Sequence, residues 1–140
     1  MQPPRYVLLV EDNPDDEALI LRSLKKSGVI NEVAIERDGA AAVDFLLGPE
    51  SRPLPAVVLL DLKLPKLDGL EVLRRLRDDE RTRRLPVVIL TSSREEQDIV
   101  NGYEVGCNSY VRKPVEFEEF VRAIGSLGLY WALLNEPPRD

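Results

Sequence analysis

The sequence predicts an α/β fold in which a five-stranded parallel sheet carries helices on both of its faces. Five short apolar runs alternate with longer segments of mixed polarity along the 140 residues. Three of the runs are almost continuously apolar and rich in Val, Leu and Ile, which is typical of strands covered on both faces in a parallel sheet. Strands that alternate with helices indicate the α/β class.

The predicted strands are the apolar runs themselves, which span Tyr6–Val10, Val33–Ile35, Ala56–Leu60, Val87–Leu90 and Ser109–Val111.

The intervening segments predict five helices. In the first, Asn13 precedes Pro14 as an N-cap, acidic residues fill the first turn, and Gly28 is placed to end the helix. The next three are expected at about Gly39 to Leu47, Gly69 to Asp78 and Glu95 to Val105. The fifth begins near Glu116, with an apolar stripe at helical spacing formed by Phe117, Phe120, Val121 and Ile124.

Composition indicates one globular domain over residues 1–140, without an output domain, and excludes several functions. The chain has no histidine, so histidine metal ligands, a Ser-His-Asp triad and a phosphohistidine of its own are excluded. A net charge of −6 disfavours nucleic acid and anionic membranes as partners. The single cysteine, Cys107, allows no intrachain disulfide, and the short apolar start predicts no signal peptide or membrane span. We therefore expect a cytoplasmic protein.

One basic run could be taken for a binding patch. It comprises six arginines interrupted by three acidic residues, namely Arg74, Arg75, Arg77, Arg81, Arg83 and Arg84 with Asp78, Asp79 and Glu80. We interpret it as the solvated face of a helix and its loop, with a docking patch as the alternative.

Acidic residues follow two of the predicted strands. Glu11 and Asp12 come directly after the first strand, and Asp61 follows the third. Ligands of open α/β sheets bind outside the carboxyl ends of the strands, so the three carboxylates converge if these strands are neighbours. Converging carboxylates repel one another unless a cation compensates, and an all-oxygen site suits Mg²⁺.

Two further residues complete a site for phosphoryl transfer. Thr91 follows the fourth strand and supplies a hydroxyl, while Lys113 follows the fifth and supplies a compact cation for a phosphoryl oxygen. A nucleophilic carboxylate, a divalent metal, a lysine and a hydroxyl suit phosphoryl transfer, which depends mainly on positioning and charge neutralisation. Each residue alone has an ordinary explanation, as a surface lysine or a helix cap.

The chain resembles the response-regulator receiver domains of two-component signalling. The resemblance lies in four segments and covers roughly residues 6–127: VLLVEDNPDD, LLDLKLPKLDGLEVL, VVILTSS and NSYVRKP. It implies the flavodoxin-like strand order 2-1-3-4-5, which is one of the common strand orders of doubly wound α/β folds.

The resemblance implies a role for each site residue. Asp61 is the expected phosphoacceptor, and it shares Mg²⁺ with Asp12, with Glu11 acting largely through water and with the main-chain carbonyl of Lys63. Relatives often carry an uncharged residue where this chain has Lys63. Lys113 pairs with Asp61 and then with the phosphoryl group, and its peptide bond to Pro114 is cis.

The implied switch couples the site to an output surface. Thr91 moves toward the phosphoryl group and Tyr110 follows it inward. Together they remodel the surface formed by the fourth helix, the fifth strand and the fifth helix. The implied partner is a sensor histidine kinase.

The C-terminal extension, residues 125–140, predicts a second contact. Its apolar stretch from Leu129 to Leu134 either folds back on the domain or packs on a second copy. With the first and last motifs it resembles the single-domain regulators of bacterial phytochrome kinases, which implies a bacteriophytochrome as the kinase and a homodimer. The expected dimer residues are Phe120, Tyr130, Trp131, Leu133 and Leu134.

Three other functions are less well supported than a phosphoacceptor that is not a turnover enzyme. A phosphatase with a strand-end Asp nucleophile resembles a D-x-D pattern, but its second position is Lys63 here. A receiver-like binding module without phosphorylation is disfavoured because Asp61, Thr91 and Lys113 are all present. No glycine-rich G-K-S/T loop exists for a P-loop enzyme.

Overall fold

The computed structural model describes residues 6–29, 31–49, 53–91, 101, 104 and 106–128. Five strands form one sheet, β1 (Val7–Val10), β2 (Val33–Glu36), β3 (Val57–Asp61), β4 (Val87–Thr91) and β5 (Ser109–Arg112). All pairings are parallel and the order is β2-β1-β3-β4-β5. The predicted fold class and strand order are therefore confirmed, although Asp61 and Thr91 are the last residues of their strands and do not follow them.

Four helices flank this sheet in the described part of the chain. They are α1 (Pro14–Lys26), α2 (Gly39–Leu47), α3 (Gly69–Asp78) and a last one at Phe117–Ser126, here called the 117–126 helix. The first three begin at polar caps, because the side chains of Asn13, Asp38 and Asp68 each accept a hydrogen bond from a backbone N–H of the first turn. Most of the predicted helix from Glu95 to Val105 lies outside the described residues.

Two apolar cores cover the two faces of the sheet because side chains alternate along each strand. On one face, Val7 and Leu9 of β1 pack with α1 and the 117–126 helix. On the other face, Leu8 and Val10 pack with α2 and α3. β1 and β3 lie in the middle of the sheet and are buried along their whole length. This central position holds their carboxyl ends, and the acidic residues there, on a rigid support.

The stripe predicted for the last helix is only partly correct. Phe120 and Ile124 are fully buried in the core, whereas the side chain of Phe117 is 45 % exposed. Phe117 is the first residue of the helix, one turn before the buried Phe120. Phe120, one of the predicted dimer residues, is buried within this chain, and its part in a dimer stays a prediction.

Arg77 departs from the prediction that the arginine run is solvated. Its guanidinium donates to the carbonyl oxygens of Thr82, Arg83, Leu85 and Gly106 and to Oδ1 of Asn108, at 2.8 to 3.2 Å. Asn108 Oδ1 also accepts from the N–H of Val87 at the start of β4. Arg77 thus joins α3 to the starts of two strands, while Arg74, Arg75, Arg83 and Arg84 are exposed as predicted.

Among the described residues, none of the helices combines the length and the apolar character that crossing a membrane requires.

The hydrogen bonds of Arg77 predict a stability difference between two arginines of the same helix. Arg77→Met leaves several carbonyl groups without a donor, so we expect the free energy of unfolding to fall by about 2–3 kcal/mol. Arg74→Met removes only an exposed ion pair with Glu71 at 3.0 Å, and we expect a change within about 0.5 kcal/mol. Methionine and arginine have similar helix propensities, so urea denaturation of the two variants isolates the network. Equal losses would show that the network contributes nothing.

Candidate functional site

The sheet register brings the predicted site residues to one edge. Val10 pairs with Leu60, so Glu11 is level with Asp61 on the neighbouring strand. Thr91 pairs with Arg112, so Lys113 directly follows the end of β5. Because all five strands are parallel, their carboxyl ends meet along this edge. Glu11, Asp61 and Lys113 thus meet at this edge, as expected for residues at the ends of parallel strands.

A buried ion cluster forms the centre of the site. The Lys113 ammonium Nζ lies 2.6 Å from Glu11 Oε2, 3.0 Å from Asp16 Oδ2 and 3.2 Å from Asp61 Oδ2. Glu11 is fully buried and Asp61 is 6 % exposed, so water screens these charges little. Removing either member of such a pair leaves an uncompensated buried charge, which is strongly destabilising. The ammonium thus holds two carboxylates of different strands together.

Burial and charge act in opposite directions on the pKa values of the cluster. Burial raises the pKa of Glu11 from 4.5 to about 7; the hydrogen bond from Lys113 opposes this rise, and the negative charge of Asp61 adds to it. For Lys113 burial alone would lower the pKa, but hydrogen bonds to Glu11 and Asp16 and the charges of Asp61 and Glu11 raise it to about 12. The lysine is therefore charged at neutral pH, and burial favours the protonated form of Glu11.

Asp12 completes a group of oxygens suited to a metal ion. Glu11, Asp12 and Asp61 each offer a carboxylate oxygen, and the three atoms lie within 4.8 Å of one another. Asp12 is exposed, so the group opens toward solvent. Three carboxylates against one ammonium leave excess negative charge, and all-oxygen ligands are those that hard divalent cations prefer. The residues present therefore fit a divalent ion.

The loop after β3 is held close to Asp61 by backbone contacts. Asp61 Oδ1 accepts a hydrogen bond from the N–H of Lys63 at 3.2 Å. The N–H of Gly69 donates to the carbonyl of Leu62, and a Cβ at Gly69 would lie 2.2 Å from the carbonyl oxygen of Asp61. Only glycine permits this close approach of α3 to the strand end. The start of α3 therefore supports the backbone at the candidate phosphoacceptor and at the residue that follows it.

The remaining predicted residues are placed only in part. The backbone of Thr91 ends β4 at the site edge, and its side chain lies outside the described set. Tyr110 lies on β5 with its side chain 37 % exposed, and the Lys63 side chain is exposed. The peptide bond between Lys113 and Pro114 is cis, as the resemblance implied. The predicted dimer residues Tyr130, Trp131, Leu133 and Leu134 lie outside the described residues.

Asp16 belongs to the site although the sequence analysis assigned it only to the first turn of a helix. Asn13 accepts hydrogen bonds from the N–H groups of Asp15 and Asp16, which fixes Asp16 as the third helical residue. Side chains of a helix tilt toward its N-terminus, so a residue at this position points back toward the strand end. The combination of a strand-end acid, an N-cap and an acid three residues later was the signal available in the sequence.

The raised pKa of Glu11 predicts how stability depends on pH. The folded state binds a proton that the unfolded state releases between about pH 4.5 and 7, so stability from this group is present below that window and is lost as pH rises through it. We expect the free energy of unfolding, measured in EDTA, to fall by about 1–3 kcal/mol more between pH 4.5 and 8 for the wild type than for Glu11→Gln.

The chain is well suited to this measurement because it contains no histidine that would titrate in the same range. Asp15→Asn, which removes an exposed charge nearby, is the control and should keep the wild-type slope. Parallel curves for the wild type and Glu11→Gln would contradict the assignment.

Comparison with known proteins agrees with this geometry. The response regulator receiver domain family matches residues 7–125. The response regulator Rcp1 of Synechocystis is 39% identical over 132 residues, which are 92% of this chain and 90% of that protein. The solved bacteriophytochrome response regulator RtBRR is 52% identical with a TM-score of 0.84, over 97% of this chain and 85% of that one.

A further solved relative carries a metal. It is the receiver domain of the sensor histidine kinase PA1611 from Pseudomonas aeruginosa, described with a magnesium ion coordinated in its active site cleft. It is 32% identical with a TM-score of 0.76, and the alignment covers 90% of this chain and 99% of that one. Three observations indicate the same family: the strand order, the acidic edge with its lysine, and the match over most of the sequence. The chain belongs to the response regulator receiver domain family, and bacteriophytochrome response regulators are among its relatives.

Proposed function

We propose that Asp61 of this chain accepts a phosphoryl group from a phosphohistidine of a sensor histidine kinase in a reaction that needs Mg²⁺. The observation that carries the proposal is the pairing of Asp61 with Lys113 at 3.2 Å, with two further carboxylates beside it. The chain has no histidine, so the phosphohistidine belongs to the partner.

The proposed transfer uses few groups of the chain. A carboxylate oxygen of Asp61 attacks the phosphorus atom, an O–P bond forms, and the P–N bond to the donor imidazole breaks. Lys113 neutralises charge on a phosphoryl oxygen, since its ammonium already lies beside Asp61. The Asp61 acyl phosphate then loses the group slowly to water, so the protein is a phosphoacceptor and not a turnover enzyme.

The metal would be held by Asp12 and Asp61, with Glu11 and the main-chain carbonyl of Lys63 as the further proposed partners. When bound, Mg²⁺ supplies positive charge for the oxygens of the transferring phosphoryl group. Glu11, Asp12 and Asp61 converge within 4.8 Å, which supports this assignment, as does the magnesium ion of the PA1611 receiver domain.

A second part of the proposal concerns the output surface, which includes β5. We propose that Thr91 and Tyr110 respond to phosphorylation and change the surface formed by β5, the 117–126 helix and the segment of the predicted fourth helix. Tyr110, Arg112, Glu119 and Arg122 line a groove on this surface. A partner that distinguishes two positions of Tyr110 would read the state of Asp61.

Two partner assignments complete the proposal. A bacteriophytochrome kinase is supported by the likeness to RtBRR and Rcp1. The homodimer stays a prediction, since the apolar stretch on which it depends lies outside the described residues. Neither depends on the chemistry proposed for Asp61.

Phosphorylation of Asp61 is tested with a small phosphodonor. We expect acetyl phosphate and Mg²⁺ to add the mass of one phosphoryl group to the wild type, because nucleophile, lysine and metal ligands are all on this chain. Asp61→Asn should show no gain, and Asp12→Asn should need a much higher Mg²⁺ concentration, since it loses a metal ligand. Intact-protein mass spectrometry measures each of these.

Chelation of Mg²⁺ with EDTA is the matched control and should abolish the mass gain. Equal labelling of Asp61→Asn would place the phosphoryl group elsewhere and contradict the proposal. Steady release of phosphate from many phosphomonoesters would favour the Asp-nucleophile phosphatase, and no labelling of the wild type would favour a receiver-like binding module.

A further inference from the structure

The Lys113 ammonium is surrounded by carboxylates. An ammonium group has three N–H donors. Three carboxylate oxygens lie within 3.2 Å of Nζ, one each from Glu11, Asp16 and Asp61. Nζ donates hydrogen bonds to Asp16 and Asp61 and is ion-paired with Glu11, so a phosphoryl oxygen that arrives at Asp61 has to compete with these carboxylates for the lysine.

Asp16 differs from the other two partners in where it lies. Its side chain is 33% exposed, whereas the side chains of Glu11 and Asp61 are 0% and 8% exposed. It is carried by the first turn of α1, whose later turns are anchored by the buried residues Ile20 and Leu24. Water can replace the lysine at Asp16 at small cost, but it cannot do so at the buried Glu11.

We propose that Asp16 is a positioning residue that competes with the phosphoryl group for Lys113 and thereby slows phosphorylation of Asp61. The inference rests on the proposed function, because it concerns the rate of that reaction. Asp16 touches neither metal nor phosphoryl group in this account; it acts only through the lysine.

The competition follows from the charge that develops during transfer. The oxygens of the transferring phosphoryl group gain stability from a cation aimed at them, and an ammonium held by another carboxylate offers less of its charge. Asp16→Asn keeps the size of the side chain and replaces a charged acceptor with a neutral one, which binds an ammonium more weakly. The lysine ammonium then donates a hydrogen bond to the phosphoryl oxygen more readily.

The chain provides a matched control one residue away. Asp15 is an exposed acid in the same turn of α1, and the ion pairs of Lys113 among the described residues do not include it. Asp15→Asn makes the same change in net charge and in the helix dipole interaction. A difference between the two variants therefore reports the contact with Lys113 and not the general field of the protein.

The experiment compares the rate constant for phosphorylation by acetyl phosphate at saturating Mg²⁺ for the wild type, Asp16→Asn and Asp15→Asn. We expect roughly a two- to fivefold increase for Asp16→Asn and a change below about 1.5-fold for Asp15→Asn. The Kd for Mg²⁺ should change by a similar small factor in both variants, because neither residue is a metal ligand and each change removes one negative charge. Far-ultraviolet circular dichroism and the free energy of unfolding verify that each variant is folded.

A rate for Asp16→Asn that equals that of Asp15→Asn, or that is slower than the wild type, overturns the inference. Asp16→Ala is a second variant, which removes the acceptor entirely. It must also be phosphorylated faster than the wild type for the inference to stand. If the wild type itself takes no phosphoryl group, the proposed function fails first, so the two failures are distinguishable.

Discussion

The ion cluster around Lys113 is the interaction on which the rest of the site depends. Glu11 and Asp61 end neighbouring strands, and their carboxylates would repel one another in a buried place without a cation between them. The ammonium of Lys113, supplied from the end of β5, lies within 3.2 Å of both. Under the proposed function, stability and reactivity are set by the same charge, because the lysine that keeps the acids together would also neutralise charge on a phosphoryl group.

The fold places these groups together through properties of parallel sheets. Apolar strands covered on both faces can carry polar residues only at their ends, and parallel strands bring those ends to one edge. β1 and β3 are central and fully buried, so Glu11 and Asp61 are attached to the most rigid part of the molecule. The start of α3 adds support, since Gly69 allows its backbone to approach the carbonyl of Asp61. A rigid edge is suited to chemistry that depends on positioning.

Much of this arrangement could be predicted from the sequence, for physical reasons. The bounds of α2 and α3 follow from their polar caps and the spacing of apolar residues, and the structure has them where they were predicted. Glu11, Asp61 and Lys113 were found because each stands at a strand end. Asp16 was missed because its role depends on the direction of a side chain at a helix start. Arg77 was misjudged because a charge run indicates solvent unless its partners, here backbone carbonyls distant in sequence, are known.

The central claim is that one edge of the sheet holds a divalent ion, a reactive carboxylate and a lysine in contact. A crystal structure of the protein with Mg²⁺ and trifluoroberyllate, a mimic of the phosphoryl group, tests it most directly. The account predicts beryllium bonded to a carboxylate oxygen of Asp61, Lys113 Nζ within hydrogen-bond distance of a fluoride, and the metal on Asp12 and Asp61. Trifluoroberyllate bound at another carboxylate, or a metal at a site that excludes Asp61, would contradict it.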